Sequence, residues 1–190
     1  LQGPFFDPSA DPAVHSGGIG AVIGHEMGHG FDDQGSRSDG DGVLRDWWTA
    51  DSRANFDGLT DRLAAQYSEF SQIEGEFVNG RLSLGENIGD VGGLSMAFRA
   101  YQLYLEDHGG DAPVLDGYTG NQRFYMAWAQ VWRNLYTEQA LVQQLRRGPH
   151  SPAQYRINGA LRNQDGWYEA FGITADHDLY LAPEERVSIW

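Results

Sequence analysis

Apolar side chains recur every three or four residues along most of this chain, which is the spacing of one face of an α-helix. Phe56, Leu63 and Tyr67 lie on one such face, and Thr49 or Asp51 could cap the helix that carries them. The pattern predicts helices over residues 17–31, 46–70, 84–107, 121–136, 137–147, 152–163 and 166–171.

The segments between these helices are polar or rich in glycine and proline. Residues 1–16 are predicted to be an extended lead-in, and 32–42 a solvated turn whose acidic residues lack calcium-loop spacing. A short strand is expected at most over 76–78. Trp47 and Trp48 are predicted to anchor the core. The whole pattern indicates one domain, mainly α, with little β structure.

Composition narrows the classes of partner and of metal site. The 190 residues carry a net charge of −14, which argues against nucleic acid and anionic membranes as partners. No apolar run is long enough to span a membrane, so no membrane contact is expected from this segment. Without cysteine, any metal must be held by histidine and carboxylates. The chain has neither an initiator Met nor a signal sequence, so we expect a fragment or a processed product.

The segment 17–30 reads GGIGAVIGHEMGHG and contains an H-E-x-x-H pattern. His25 and His29 are four residues apart, so one helix face presents both to a single ion. Glu26 lies beside that face, where it could take a proton from a water at the metal. The alternative is an ordinary helix with two surface histidines. The apolar run before His25 favours a buried helix, in which an unliganded cluster would be costly.

Spacing alone does not identify a third ligand. The metzincin pattern requires glycine and histidine where this chain has Asp32 and Gly35, and the thermolysin type requires a glutamate some twenty residues on. After Glu26 the next glutamate is Glu69, so both patterns fail. Three further histidines have unsuitable sequence contexts: His15, His108 and His177.

The best remaining ligand is Glu86, which shares a predicted helix face with Asp90. One carboxylate could bind the metal while the other accepts the outward N–H of a ligating histidine. Gly89, Gly92 and Gly93 would let this helix approach the H-E-x-x-H helix closely. A surface carboxylate pair near a flexible kink is the alternative.

Taken together, VIGHEMGHGFDDQG and LGENIGDVGGL closely resemble the neprilysin-like zinc metallopeptidases, a family that includes endothelin-converting enzyme and bacterial oligopeptidases. The likeness continues through DWWT at 46–49, AQVW at 129–132, HSPAQYR at 150–156 and Trp190. It implies a mainly α fold, the C-terminal portion of a thermolysin-like (gluzincin) zinc peptidase catalytic domain. Residues 1–190 would be a single domain that lacks the family's upstream substrate-binding strand and helical lid domain.

The resemblance also implies a role for each matching residue. One Zn²⁺ per chain would be held by His25, His29 and Glu86, with Glu26 as general base and Asp90 orienting His25. The remaining assignments are His150 as oxyanion stabiliser, Arg156 as ligand of a substrate carbonyl, and Val22, Val131 and Trp132 as walls of the S1′ pocket.

One position departs from the family pattern. The family usually has an acidic residue two positions before the histidine of HSP, where this chain has Gly148. The departure puts in question how His150 is oriented. Without the resemblance, His150 would be read as a loop or capping residue.

The function that the resemblance implies is a zinc endopeptidase or oligopeptidase that cleaves short peptides on the N-terminal side of bulky apolar residues. Its partners would be peptide substrates and the remainder of the full-length catalytic and lid domains, and no nucleic acid. A periplasmic or secreted location is favoured on the same ground. Two alternatives are a silent domain that binds zinc or peptide without turnover, and a structural zinc domain.

Overall fold

The computed structural model describes residues 2–190, and the regular structure of that range is helical. Its α-helices are α1 (Pro12–His15), α2 (Ala21–Gly28), α3 (Ala50–Ser68), α4 (Leu84–Asp107), α5 (Gly120–Val131), α6 (Glu138–Arg147), α7 (Ala153–Leu161) and α8 (Asp165–Phe171). A π-helical turn at Ser16–Gly20 joins α1 to α2, and 3₁₀ turns occupy Gly35–Arg37 and Pro183–Glu185. Over residues 2–190, β structure is limited to isolated bridges, so the predicted mainly α fold is confirmed.

The centre of the fold is α4, which packs against α2, α3 and α7. Its backbone touches that of α2, because a Cβ on Gly93 would lie only 2.4 Å from the His25 backbone nitrogen. A Cβ on Gly89 would lie 2.6 Å from the His25 ring. Gly92 was predicted to serve the same contact, but it faces the Trp190 ring instead. Two glycines of α4 therefore help to set how closely the helices approach, together with Gly24 on α2, where a Cβ would lie 2.8 Å from the Gly93 carbonyl oxygen.

A second group of helices packs around α5, which contacts α1, the π-helical turn, α7 and α8. Phe124 and Trp128 on α5 are fully buried. The Trp128 indole Nε1 donates a hydrogen bond to the Arg156 carbonyl at 3.2 Å, which joins α5 to α7. In the part of the chain that the structure describes, no helix is both long and apolar enough to cross a membrane.

Several helix boundaries differ from the predicted ones: α3 begins at Ala50 and not at residue 46, and α2 ends at Gly28 and not at residue 31. The extended lead-in over 1–16 is wrong at its end, because α1 begins at Pro12 with the Asp11 carboxylate accepting the Ala13 N–H at 2.9 Å. Proline suits the first position of a helix, where its missing N–H would have no partner. Helix α5 was predicted to run to residue 136, but it ends at Val131.

Local contacts correct two further predictions. Trp47 is 41% exposed and does not anchor the core, whereas Trp48 packs on Phe56 with ring centroids 5.1 Å apart. The predicted strand over 76–78 is absent from the described chain, where Glu76 forms only an isolated bridge with Ile73. A single bridge leaves the connector irregular, so it adds no sheet to the fold.

Candidate metal centre

Helices α2 and α4 bring His25, His29 and Glu86 together. One ligand atom from each residue lies within 4.8 Å of the other two. Glu86 Oε2 is 3.2 Å from His25 Nε2, and Oε1 is 3.7 Å from His29 Nε2. The helical i,i+4 spacing places both imidazoles on one side of α2, and the glycine contact brings α4 close enough for Glu86 to reach them.

The orientation of His25 is set by a buried ion pair. Its Nδ1 lies 2.9 Å from Oδ1 of Asp90, a residue with no exposed surface. Arg156 donates to both oxygens of that carboxylate, from Nε at 2.7 Å and from Nη2 at 2.6 Å. An ionised carboxylate only accepts, so His25 Nδ1 carries a proton, and Nε2 is the ring nitrogen that faces Glu86.

The second imidazole has the same arrangement. His29 Nδ1 lies 2.8 Å from Asp32 Oδ2, and its ring stands at 87° to that of His25 with centroids 4.7 Å apart. The sequence interpretation missed Asp32, because it placed this residue in a solvated turn, whereas Asp32 is only 5% exposed. An aspartate three residues after the second histidine, just beyond the helix end, was the signal available.

Charge is concentrated in this cluster. Burial alone would lower the pKa of His25, but the hydrogen bond to Asp90 and the nearby carboxylate of Glu86 outweigh it and raise the pKa to about 9. Burial favours a higher pKa for Glu86, yet His25, His150 and Arg156 together lower it below the usual value. Without a metal the site therefore attracts a cation, in the form of a proton on His25.

The donor set suits zinc. Two imidazole nitrogens and one carboxylate are the protein ligands of one common class of catalytic zinc site, which keeps a further position open. Glu86 Oε2 is buried and makes no well-oriented hydrogen bond among the described residues, so coordination would satisfy it. The carboxylates on the two Nδ1 atoms are the usual outer partners of ligating histidines. The residues present fit the metal that the sequence predicts.

A cavity of about 390 Å³ opens onto this cluster. Glu26 is exposed on α2 and lines the cavity wall. Of the three residues predicted to form the S1′ pocket, Val22 and Trp132 reach the wall, and buried Val131 does not. The lining is completed by residues including two that the sequence interpretation did not select, Phe5 and Trp128.

His150 also reaches the cluster, with Nε2 lying 3.0 Å from Glu86 Oε2. The Gln144 side-chain amide donates to the His150 carbonyl at 2.6 Å. Next to His150, the Ser151 hydroxyl donates to the Asn87 side chain on α4 at 2.8 Å. A Cβ on Gly148 would lie 2.4 Å from Gln144 Nε2, so Gln144 fills the space beside this glycine.

The Arg156 side chain is fixed by Asp90 and is not free to move in the cavity. Two of its guanidinium nitrogens are engaged by Asp90, and the group lies over the Trp132 ring at 3.9 Å from the centroid. Burial opposes a charged guanidinium, but the neighbouring Asp90 and Glu86 raise the pKa of Arg156. The structure thus places Arg156 both at the cavity wall and behind His25.

A larger cavity, of about 870 Å³, lies elsewhere, between the loop after α2 and helix α3. Its lining includes four arginines and four aspartates, which form the ion pairs Arg53–Asp57 and Arg81–Asp61. Because the charges of its lining balance and no histidine is among the lining residues, it lacks the chemistry of the smaller cavity.

The sequence and the fold of this chain are similar to those of known proteins. Human endothelin-converting enzyme 1 is 45% identical over 192 residues, which cover all of this chain and 24% of that protein. Human neprilysin is 41% identical over 194 residues, covering all of this chain and 26% of its own length. The crystal structure of the Mycobacterium tuberculosis zinc metalloprotease Zmp1 in complex with an inhibitor matches with a TM-score of 0.95 and 51% identity, over this whole chain and 29% of Zmp1.

The chain spans about a quarter of the length of the curated relatives that it matches. A family profile described as peptidase family M13 matches residues 1–187. The resemblance noted in the sequence motifs is confirmed, and the chain belongs to peptidase family M13.

Proposed function

We propose that this chain forms the metal-binding part of a zinc metalloendopeptidase or oligopeptidase that hydrolyses short peptides. The observation that carries the proposal is the convergence of His25, His29 and Glu86 at a cavity that Glu26 also lines. Metal ligands, a free carboxylate and an open space are the minimum that metal-assisted peptide hydrolysis requires.

The three converging residues would hold one zinc ion. When bound, zinc would polarise the substrate carbonyl and lower the pKa of a water molecule. Asp90 and Asp32 keep both imidazoles turned with Nε2 toward Glu86. His25 must lose its proton before it can act as a ligand, so metal binding and proton release are coupled.

Glu26 is assigned the role of general base. It follows His25 directly, so its side chain leaves α2 beside the ligands, and it is exposed at the cavity. Its carboxylate would take the proton of the attacking water and later deliver it to the leaving amine. Removing such a group typically slows catalysis by about 10²- to 10⁴-fold.

His150 and Arg156 are assigned to the substrate. His150 is half-exposed beside Glu86 and can donate from Nε2 to the carbonyl oxygen on which negative charge develops. Arg156 has Nε and Nη2 on Asp90, which leaves Nη1 for a substrate backbone carbonyl. This geometry supports a double role for Arg156, in which it holds Asp90 and contacts the substrate.

We further propose that cleavage occurs on the N-terminal side of bulky apolar residues. Val22 and Trp132 give the cavity an apolar wall next to the metal ligands, and Phe5 and Trp128 extend it. Burying a large apolar side chain there contributes about 1.5–3 kcal/mol. A peptide library with one varied position should show cleavage before phenylalanine, leucine and isoleucine, and weak cleavage before aspartate or glycine.

The rest of the full-length catalytic and lid domains is the expected partner of this part. Ile23 and Met27 on α2 are 54% and 67% exposed, and Phe31, just after the helix, is 49% exposed. Neighbouring exposed apolar side chains of this size often mark a surface that packs against another part of a protein. Their exposure supports the proposal that an upstream segment covers α2 and completes the cleft.

Replacing Glu26 by glutamine tests the proposed chemistry. The variant should retain one zinc per chain, because Glu26 is not a ligand, and should lose at least about 100-fold in peptide cleavage. Glu74→Gln is the matched control, since Glu74 is exposed in the connector before α4 and should leave both zinc content and rate unchanged.

The outcomes separate the candidate functions. Cleavage by Glu26→Gln at the rate of the unchanged protein would refute the base assignment. Zinc bound by the unchanged protein without cleavage of any library peptide would favour a silent binding domain. A protein that binds no zinc would refute the whole proposal.

A further inference from the structure

The chain after α2 folds back around the carboxylate of Asp32. Oδ1 accepts the backbone N–H of Gln34 at 2.8 Å and that of Gly35 at 2.7 Å, while Oδ2 lies 2.8 Å from His29 Nδ1. The Ser36 N–H donates to the Asp32 carbonyl at 3.0 Å. Each carboxylate oxygen therefore has its own partner, so the carboxylate has one fixed orientation.

Gly35 is what allows this turn to close. A Cβ at this position would lie 1.8 Å from the carbonyl oxygen of His29 and 2.9 Å from the carbonyl carbon of Gly30. Both neighbours are backbone atoms that cannot move aside without displacing the end of α2. The requirement for glycine here is a requirement for space, created by the His29 backbone itself.

The turn is also held from outside by α3. Arg53 donates from Nη1 to the Ser36 hydroxyl at 3.3 Å and from Nη2 to the Ser36 carbonyl at 3.4 Å. Its guanidinium lies over the Trp48 ring, 4.5 Å from the centroid. The segment 32–36 is therefore fixed at both ends, to α2 through Asp32 and to α3 through Ser36.

We infer that Asp32 is a positioning residue for the metal centre and that Gly35 is required for it to act. Asp32 fixes His29 with its proton on Nδ1, so that Nε2 faces Glu86. This inference rests on the proposed function, in which His29 is a zinc ligand. Outer carboxylates of this kind typically change metal affinity by about 10- to 100-fold when they are replaced.

Asp32→Asn isolates the contact to His29 from the turn. The amide oxygen can still accept the N–H groups of Gln34 and Gly35, but its NH₂ group then faces the N–H of His29. We expect the zinc dissociation constant to rise about 10- to 100-fold. Asp33→Asn is the matched control, because it removes the same charge one residue away without a contact to His29, and its dissociation constant should stay unchanged.

A spectroscopic readout distinguishes positioning from a general structural effect. In the metal-free protein at alkaline pH, ¹⁵N chemical shifts should show His29 protonated on Nδ1. Asp32→Asn should move the proton to Nε2, and Asp33→Asn should not. Gly35→Ala should weaken zinc binding as well, although Asp32 is present.

Different results would overturn the role of Asp32 and the proposed function. An Nε2-protonated His29 in the unchanged metal-free protein would overturn the role of Asp32 without any variant, even if a variant failed to fold. Equal zinc dissociation constants for Asp32→Asn and Asp33→Asn would also overturn it. Failure of the unchanged protein to bind zinc would instead refute the proposed function.

Discussion

Replacing Gly93 by alanine tests whether contact between α2 and α4 sets the geometry of the metal centre. The new Cβ would lie 2.4 Å from the His25 nitrogen and 2.7 Å from the Ala21 carbonyl oxygen, both backbone atoms. Ordinary contacts of a Cβ begin at 3.4 Å. The two helices would therefore have to separate by roughly 1 Å, since packed backbones cannot be compressed.

Gly58→Ala is the matched control for the change in the free energy of unfolding. Gly58 also lies inside a helix, α3, but a Cβ there would meet nothing within 4 Å. Both substitutions gain the same helix propensity, about 1 kcal/mol. The difference in the free energy of unfolding between the variants is then the overpacking cost alone, about 1–3 kcal/mol.

Two measurements follow from this difference. In thermal unfolding, Gly93→Ala should melt lower than Gly58→Ala, by about 2–4 °C for each kcal/mol. In zinc titration, Gly93→Ala should bind at least tenfold more weakly, because a shift of about 1 Å exceeds the tolerance of about 0.2 Å in metal–ligand distances.

Equal behaviour of the two variants would contradict a close-packed contact between α2 and α4 at Gly93. If Gly93→Ala and Gly58→Ala melted together and bound zinc equally, the helices would have absorbed the methyl group without moving Glu86. A lower melting temperature with unchanged zinc affinity would refute only the link from helix spacing to the metal centre.

Three further predictions concern the surroundings of the site. Arg156→Met removes the guanidinium from the buried carboxylate of Asp90 and leaves it only His25, which should lower the free energy of unfolding in urea by up to about 3–5 kcal/mol. In metal-free protein the pKa of His25 is raised from 6.5 to about 9, so its stabilisation is complete below pH 6.5 and is lost as pH rises through 9. Gln144→Ala removes one hydrogen bond to the His150 carbonyl, worth about 1 kcal/mol, and should lower kcat about fivefold with zinc content unchanged.

Each of these has a contrary result. A urea midpoint unchanged by Arg156→Met would show that Asp90 finds another partner. Stability of the metal-free protein that rises between pH 6.5 and 9 would contradict the sign of the His25 shift. Loss of zinc from the Gln144 variant would mean that this residue supports the metal ligands as well as His150.

Many features of the helices could be predicted from the local spacing of residues in the sequence. The bounds of α4, Leu84–Asp107, were predicted correctly, and the Thr49 cap of α3 is present, because both depend on neighbouring residues. The i,i+4 rule also placed His25 and His29 on one helix face. In contrast, the helix at Pro12 was missed, since proline and aspartate signal a turn as readily as a helix start.

Contacts between residues far apart in the sequence could not be predicted from the sequence pattern. The ion pair between Asp90 and Arg156 joins residues 66 positions apart, and no periodicity connects them. The resemblance assigned Arg156 to the substrate alone, and only the packed structure shows it behind His25. The same holds for Val131, which faces the core while the neighbouring Trp132 reaches the cavity.

The contact between α2 and α4 has a thermodynamic consequence. The two helices that carry the proposed ligands are separated in sequence by the whole of α3, so an ion bound to both would cross-link distant parts of the chain. Because the unfolded chain cannot hold the three ligands together, the binding free energy is added to the free energy of folding. At a zinc concentration of about 1,000 times the dissociation constant, this linkage contributes about 4.1 kcal/mol. The supply of metal would then govern the resistance of this domain to unfolding and to proteolysis, independently of any substrate.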